Sequence, residues 1–173
     1  MSTKPIVLLG NPLLRQKARS VDAFRTDDLR RLADDLHDTL LDFRQVHGFG
    51  RGIAAPQIGV LQRIIFINVD QPMPLVNPRI VRRSRRLMSL WDDCFSLPNL
   101  LAKVRRNLAV EVQYRDLDGK KHQLHAEGAL SELLQHEIDH LDGVLTIDRA
   151  IDSKHIVFRD EWEKANREEE IRL

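Results

Sequence analysis

The run Gln135-His136-Glu137-Ile138-Asp139-His140 constrains this chain more than any other stretch. Histidines four positions apart lie on one face of an α-helix, one turn from each other, where both imidazoles reach a single metal ion. Leu130, Leu133, Leu134, Ile138 and Leu141 recur through the same stretch at helical spacing, and Gly143 supplies a stop. A polar side chain among such neighbours is costly to bury without a partner, which favours metal ligation over an incidental surface pair. Glu137, beside the first histidine, is placed to act as general base on an attacking water.

Around this helix the chain offers material for one domain over residues 1–173. A formal charge of +1 speaks against general attraction to nucleic acid or to a membrane. The cluster Arg79, Arg82, Arg83, Arg85 and Arg86 carries no interleaved aromatics, so it reads as a solvated hairpin, with a ribosome contact as the alternative. Specific nucleic-acid binding is not expected. The early apolar stretch from Ile6 to Leu9 is too short for a secretion signal, and no later stretch spans a bilayer, so a cytoplasmic location is expected.

Residues 26–46 read as an amphipathic helix with Leu29, Leu32, Ala33, Leu36, Leu40 and Phe43 on one side and Thr26 as its cap. Short strands follow: Arg63–Val69, Pro74–Val81 broken by prolines and Asn77, and Leu108–Tyr114 with Leu108, Val110, Val112 and Tyr114 on one face. Asp116-Leu117-Asp118-Gly119 signals a hairpin turn into a return strand over Lys120–Ala126. From Asp152 onward, Ile156, Val157, Trp162, Ala165 and Ile171 suggest a C-terminal helix packed by one stripe and frayed over Glu168–Leu173. Helix, strands, then the histidine helix argues for an α+β fold with mostly antiparallel pairing.

Two histidines leave a metal short of the three protein ligands typical of a catalytic site. A third histidine at the metzincin position is absent, since Thr146 stands there. Glu161 or Glu163 would serve in the manner of other H-E-x-x-H proteases. The remaining candidate is Cys94, the one cysteine, which can form no internal disulfide.

A second word bears on the choice: Gly50-Arg51-Gly52-Ile53-Ala54-Ala55-Pro56-Gln57. With it the chain resembles the peptide deformylases, whose signatures are G-x-G-h-A-A-x-Q, E-G-C-h-S and Q-H-E-x-D-H. The first and third match at their defined positions. The second stands here as Asp92-Asp93-Cys94-Phe95-Ser96, keeping only the cysteine and serine. The opening Gly10-Asn11-Pro12-Leu13-Leu14-Arg15 agrees as well, and the resemblance runs from about residue 5 to residue 150.

Carried over position by position, the resemblance implies Cys94, His136 and His140 as metal ligands, with Glu137 moving the proton. Gln57 and the backbone N–H of Phe95 would form the oxyanion hole. Gly50, Gly52, Ile53 and Leu133 would flank the substrate, an N-formylated peptide. The implied metal is Fe(II), with zinc, nickel or cobalt as substitutes; a thiolate with two imidazoles suits all four. The implied fold sets short antiparallel strands around a central metal helix, with a further helix towards each end, and brings Cys94 to that helix from a strand end.

The departures lie near the implied substrate. Asp92 replaces a glutamate and is expected to pair with Arg106 or, less well matched, Arg105. Asp93 replaces a glycine whose carbonyl holds the peptide in the family, and would be strained if that position needs positive φ. Arg51 and Glu132 stand where family members place apolar residues that line the first side-chain pocket. The two are expected to be neighbours and to make that pocket polar. Three other functions compete with deformylation: action on a different N-acyl or formamide substrate, metal binding with little catalysis, and proteolysis of the zincin type.

Overall fold

The computed structural model describes residues 2–171 and the side chains of residues 2–166. Helix α1 spans Asp27–His47, capped by Thr26, whose Oγ1 accepts the Leu29 N–H at 3.2 Å, and it ends at Gly48 in the left-handed region. Strands β1 (Gly52–Ala54), β2 (Ile64–Asn68) and β3 (Pro72–Arg83) follow, then β4 (Leu87–Asp93), β5 (Leu100–Asn107), β6 (Ala109–Arg115) and β7 (Lys121–Glu127). Helix α2 is Ala129–Leu141, β8 is Ile156–Phe158 and α3 is Arg159–Ile171. Every pairing between these strands is antiparallel: β1-β2-β3-β6-β7 form one sheet and β4-β5-β8 a second. The α+β architecture read from the sequence is the one observed, and no helix among the described residues is long and apolar enough to cross a membrane.

β2 explains how two helices share one sheet. Its side chains alternate between faces. Ile64 and Phe66 pack with Leu36, Leu40 and Phe43 of α1, whereas Ile65 and Ile67 pack with Leu134, Ile138 and Leu141 of α2. Burial on both faces is why this strand reads as a continuous apolar run. Helix α2 lies between the large sheet and the small one, with ten of its thirteen residues buried. In a helix so enclosed, a polar side chain left without a partner calls for an explanation.

The stop after α2 is a Schellman turn. Val144 N–H reaches the Asp139 carbonyl at 3.0 Å and Gly143 N–H the His140 carbonyl at 3.2 Å, with Gly143 at φ +73°. The hairpin at Asp116–Gly119 is also as expected, closed by Gly119 N–H to the Asp116 carbonyl at 3.0 Å.

Two expectations need correction. The prolines do not break β3, which runs unbroken from Pro72 to Arg83. Pro72 and Pro74 lie where only β2 flanks the strand, because pairing with β6 begins at Val76. At the register shift between Val76 and Arg79, Asn77 takes φ +52° while its amide both donates to the Val21 carbonyl and accepts the Val21 N–H at 2.8 Å. The second concerns Ile156 and Val157, which are strand rather than helix: they pair with Ala102 and Leu101 and cover the edge of β5. The side chain of Ile171 and the fraying expected over Glu168–Leu173 lie outside the described side chains.

The basic cluster is a solvated edge. Arg79, Arg82, Arg83, Arg85 and Arg86 are all exposed; Arg79 donates to Gln113 and Arg82 pairs with Glu111.

Candidate active site

Helix α2 directs His136, Glu137 and His140 away from its leucine face, towards the end of β4. Cys94 follows directly on that strand. Its Sγ lies 3.2 Å from His140 Nε2, and the ligand atoms of Cys94, His136 and His140 all fall within 4.8 Å of one another. Glu161 and Glu163 sit on α3, and neither joins a group of three such ligand atoms among the described residues. Glu161 pairs with the exposed Lys164 instead.

The donor chemistry fits a metal ion. Asp92 Oδ1 accepts from His136 Nδ1 at 2.9 Å, which holds a proton on Nδ1 and makes Nε2 the nitrogen that can ligate once its own proton is lost. Burial opposes charge on His136, but the Asp92 carboxylate and the Cys94 sulfur outweigh it and hold the His136 pKa well above the usual histidine value. His140 is held well below that value by burial and by the neighbouring His136, so its ring stays neutral. The cluster is thus built to stabilise one positive charge beside a neutral imidazole, and a bound cation would take the place of the His136 proton.

Asp92 is itself anchored. Its Oδ2 meets Arg106 Nη2 at 2.9 Å, and both side chains are only 3% exposed. Burial works against the Asp92 charge, yet His136 and Arg106 together set its pKa at about 2. The expected Asp92–Arg106 pair is present; the bond to His136 was not foreseen. Arg106 also pairs with Asp139, which in turn holds Arg149. Gln135 brackets Asn107, accepting its N–H at 3.0 Å and donating to its carbonyl at 2.9 Å, and so ties α2 to the end of β5. Asp139 and Gln135 are defined letters of the third signature, a signal that pointed to them without giving their partners.

Glu137 is buried, and its Oε2 has no hydrogen-bond partner. Burial raises its pKa to about 7, although the charge on His136 pulls the other way. Such a carboxyl can accept and return a proton near neutrality. Gly52 makes room for it, since a Cβ there would stand 2.8 Å from Glu137 Oε1. Gln57 is fully buried; its Oε1 accepts the Ala54 N–H at 2.9 Å, turning Nε2 towards Cys94 Sγ at 3.6 Å and Ser96 Oγ at 3.4 Å. That amide is a donor fixed before any substrate arrives.

These groups open onto a cleft of about 490 Å³ lined by Gly50, Arg51, Gly52, Gln57, Asp92, Asp93, Cys94, Phe95, Glu132, Leu133, His136 and Glu137. Phe95 forms one wall, stacked on Phe43 with ring centroids 3.7 Å apart. Gly50, at φ +130°, leaves the space that ring needs, since its Cβ would fall 2.6 Å from Phe95. The Ile53 side chain does not reach the cleft; it is buried in the α1 core, leaving only its main chain for contact. Asp93 is unstrained. Among the described residues only Arg25 and Asn77 have positive φ without being glycine, and the Asp93 side chain pairs with Arg159 at 2.8 Å. Arg51 and Glu132 are neighbours as expected, joined in an ion pair.

A family model described as polypeptide deformylase matches residues 3–155. A peptide deformylase of Rhizobium meliloti is 42% identical over 154 residues, covering 86% of this chain and 85% of the relative. The Met-Ala-Ser-bound crystal structure of the class I type b peptide deformylase from Acinetobacter baumannii superposes with a TM-score of 0.80 at 30% identity. That match covers 86% of this chain and 99% of the other. The peptide deformylase of Synechococcus elongatus, solved with actinonin, gives 0.81 at 35% identity, covering 88% and 82%.

Proposed function

The chain belongs to the peptide deformylase family, and we propose that it hydrolyses the N-formyl group from the first residue of polypeptides, formyl-methionine in a nascent chain. The observation that carries this reading is the buried, unpartnered Glu137 Oε2, on a carboxyl pushed up to about 7, beside three convergent soft and borderline ligand atoms. Binding or recognition alone needs no such base.

Cys94, His136 and His140 are assigned as the metal ligands, with Fe(II) as the native ion and zinc, nickel or cobalt as substitutes. When bound, the ion supplies the charge that acidifies water and polarises the formyl oxygen. Glu137 takes the proton as water adds to the formyl carbon. The Gln57 amide donates to the oxygen that becomes negative, a contribution worth about 2.7–4 kcal/mol in comparable oxyanion holes. As the C–N bond breaks, Glu137 returns the proton to the leaving nitrogen, giving a free N-terminal amine and formic acid, which ionises to formate. Atoms and protons balance with one water consumed.

That a relative binds Met-Ala-Ser, a tripeptide beginning with methionine, supports a peptide N-terminus as the substrate. A cytoplasmic site of action follows from a nascent-chain substrate, and the exposed Arg79–Arg86 edge is the surface we assign to any ribosome contact. The test is formate release from formyl-Met-Ala-Ser by anaerobically prepared, Fe(II)-loaded protein. Formate in amounts equal to new free amine is expected; metal-loaded protein yielding none would sink the reading.

A further inference from the structure

The cleft does not end at the ligand cluster. Glu132 lies one turn before His136 on α2, and its carboxylate, that of Asp92 and the His136 ring place their ligand atoms within 4.8 Å of one another. Opposite it, Arg51 precedes Gly52, the residue that abuts Glu137. Arg51 Nη2 pairs with Glu132 Oε2, and Nη1 donates to the Ala129 carbonyl at 3.1 Å. Glu132 is 6% exposed and Arg51 43%, so the pair spans the cleft from a buried end to an open one.

Both residues line the cleft beside His136 and Glu137, so the ion pair forms a wall that a side chain next to the scissile formamide can meet. Withdrawing Arg51 would leave a buried carboxylate without its cation. A hydrocarbon pressed against it strips water from both charges and returns no hydrogen bond. A charged side chain competes for one member and orphans the other. A neutral chain ending in a hydrogen-bonding dipole restores what the water provided.

Resting on the deformylase reading, we infer that the Arg51–Glu132 pair selects the first residue of the substrate. It favours N-formyl peptides whose first side chain is unbranched, neutral and hydrogen-bonding at its tip, an amide or a sulfoxide, over a hydrocarbon of equal length.

The experiment compares kcat/KM of the metal-loaded enzyme on formyl-X-Ala-Ser, with X as glutamine, methionine sulfoxide, methionine, norleucine or glutamate. The first two are expected to exceed norleucine by about tenfold or more, the discrimination a site with unmet polar groups imposes. In the double variant Arg51→Leu with Glu132→Leu the order reverses. In Glu132→Gln, which keeps shape and frees Arg51, glutamate gains relative to glutamine, and this variant decides if the double one does not fold. Formate from all five peptides with norleucine equal to or above glutamine overturns the selection while leaving the deformylase reading intact. Formate from none overturns both.

Discussion

Asp92 accepts from His136 Nδ1 and from Arg106 Nη2, each at 2.9 Å, and so couples a metal-ligand candidate to the β4–β5 sheet through one buried carboxylate. Aspartate is a methylene shorter than the glutamate of the family signature, yet it reaches both partners. Replacing Asp92 with alanine removes the group that orients His136 and leaves Arg106 with Asp139 alone. Zinc affinity, read by chelator competition, is expected to fall roughly 10–100-fold. Stability is expected to fall by about 3–5 kcal/mol, the cost of breaking a buried pair. Asp92→Glu should recover most of the affinity; no recovery would mean the carboxylate acts through packing rather than through the histidine.

Metal loading should release protons. In the metal-free protein His136 is held protonated well above the ordinary histidine value, and Glu137 is half-protonated near pH 7. A ligating imidazole must be neutral, and a nearby cation favours the ionised form of Glu137. The signs agree: binding at pH 7 expels protons, and affinity rises with pH. For folding of the metal-free protein the His136 contribution runs the other way. It is fully present below the unfolded histidine pKa and is lost as pH rises through the raised folded value. Calorimetric titration with zinc in buffers of different ionisation enthalpy is the check. A heat independent of buffer would contradict the proton assignment.

Much of this site was legible in one dimension because its parts announce themselves locally. The histidine pair, the leucine stripe and Gly143 are all periodic features of one helix, and the two other signatures pointed to Cys94 and Gln57. The Asp92–Arg106 pair was expected only through the family position that Arg106 matches; the β4–β5 pairing that carries it, with Asp92 opposite Ala102 and Arg106 opposite Met88, left no signal that was read. The Asp92–His136 bond was not legible, since it joins residues 44 positions apart on different elements and leaves no periodic trace. Ile156 and Val157 were misread because a short apolar stretch beside a helical stripe has no period of its own; the open edge of β5 made them strand. The prolines of β3 misled in the same way, since what permits them is which side of the strand lacks a neighbour.

Gly143 holds α2 in place from outside the site. Its Cβ would stand 2.5 Å from the Arg15 carbonyl oxygen and 2.8 Å from the carbonyl carbon, and φ is already +73°. Both partners are backbone, so neither yields as a flexible side chain would. Gly143→Ala is expected to cost about 1–3 kcal/mol or more in urea unfolding. Unchanged stability would show that the residue 12–15 turn moves freely against the helix end.

Glu137 and Gly52 give a paired test of the proposed base. Glu137→Gln should retain metal and lose about 10²–10⁴-fold in kcat, the usual weight of a positioned base. Gly52→Ala approaches the same atom from the other side. Its new Cβ would lie 2.8 Å from Glu137 Oε1 and 3.0 Å from Leu133 Cδ1, so the carboxylate must shift from its place. A misplacement of this size costs on the order of 10²-fold in rate without touching the ligands. Metal content by elemental analysis should stay at wild type in both variants while formate release falls. If Gly52→Ala instead loses metal, β1 supports the ligand cluster rather than the base. If Glu137→Gln keeps its turnover, the proton passes through another group.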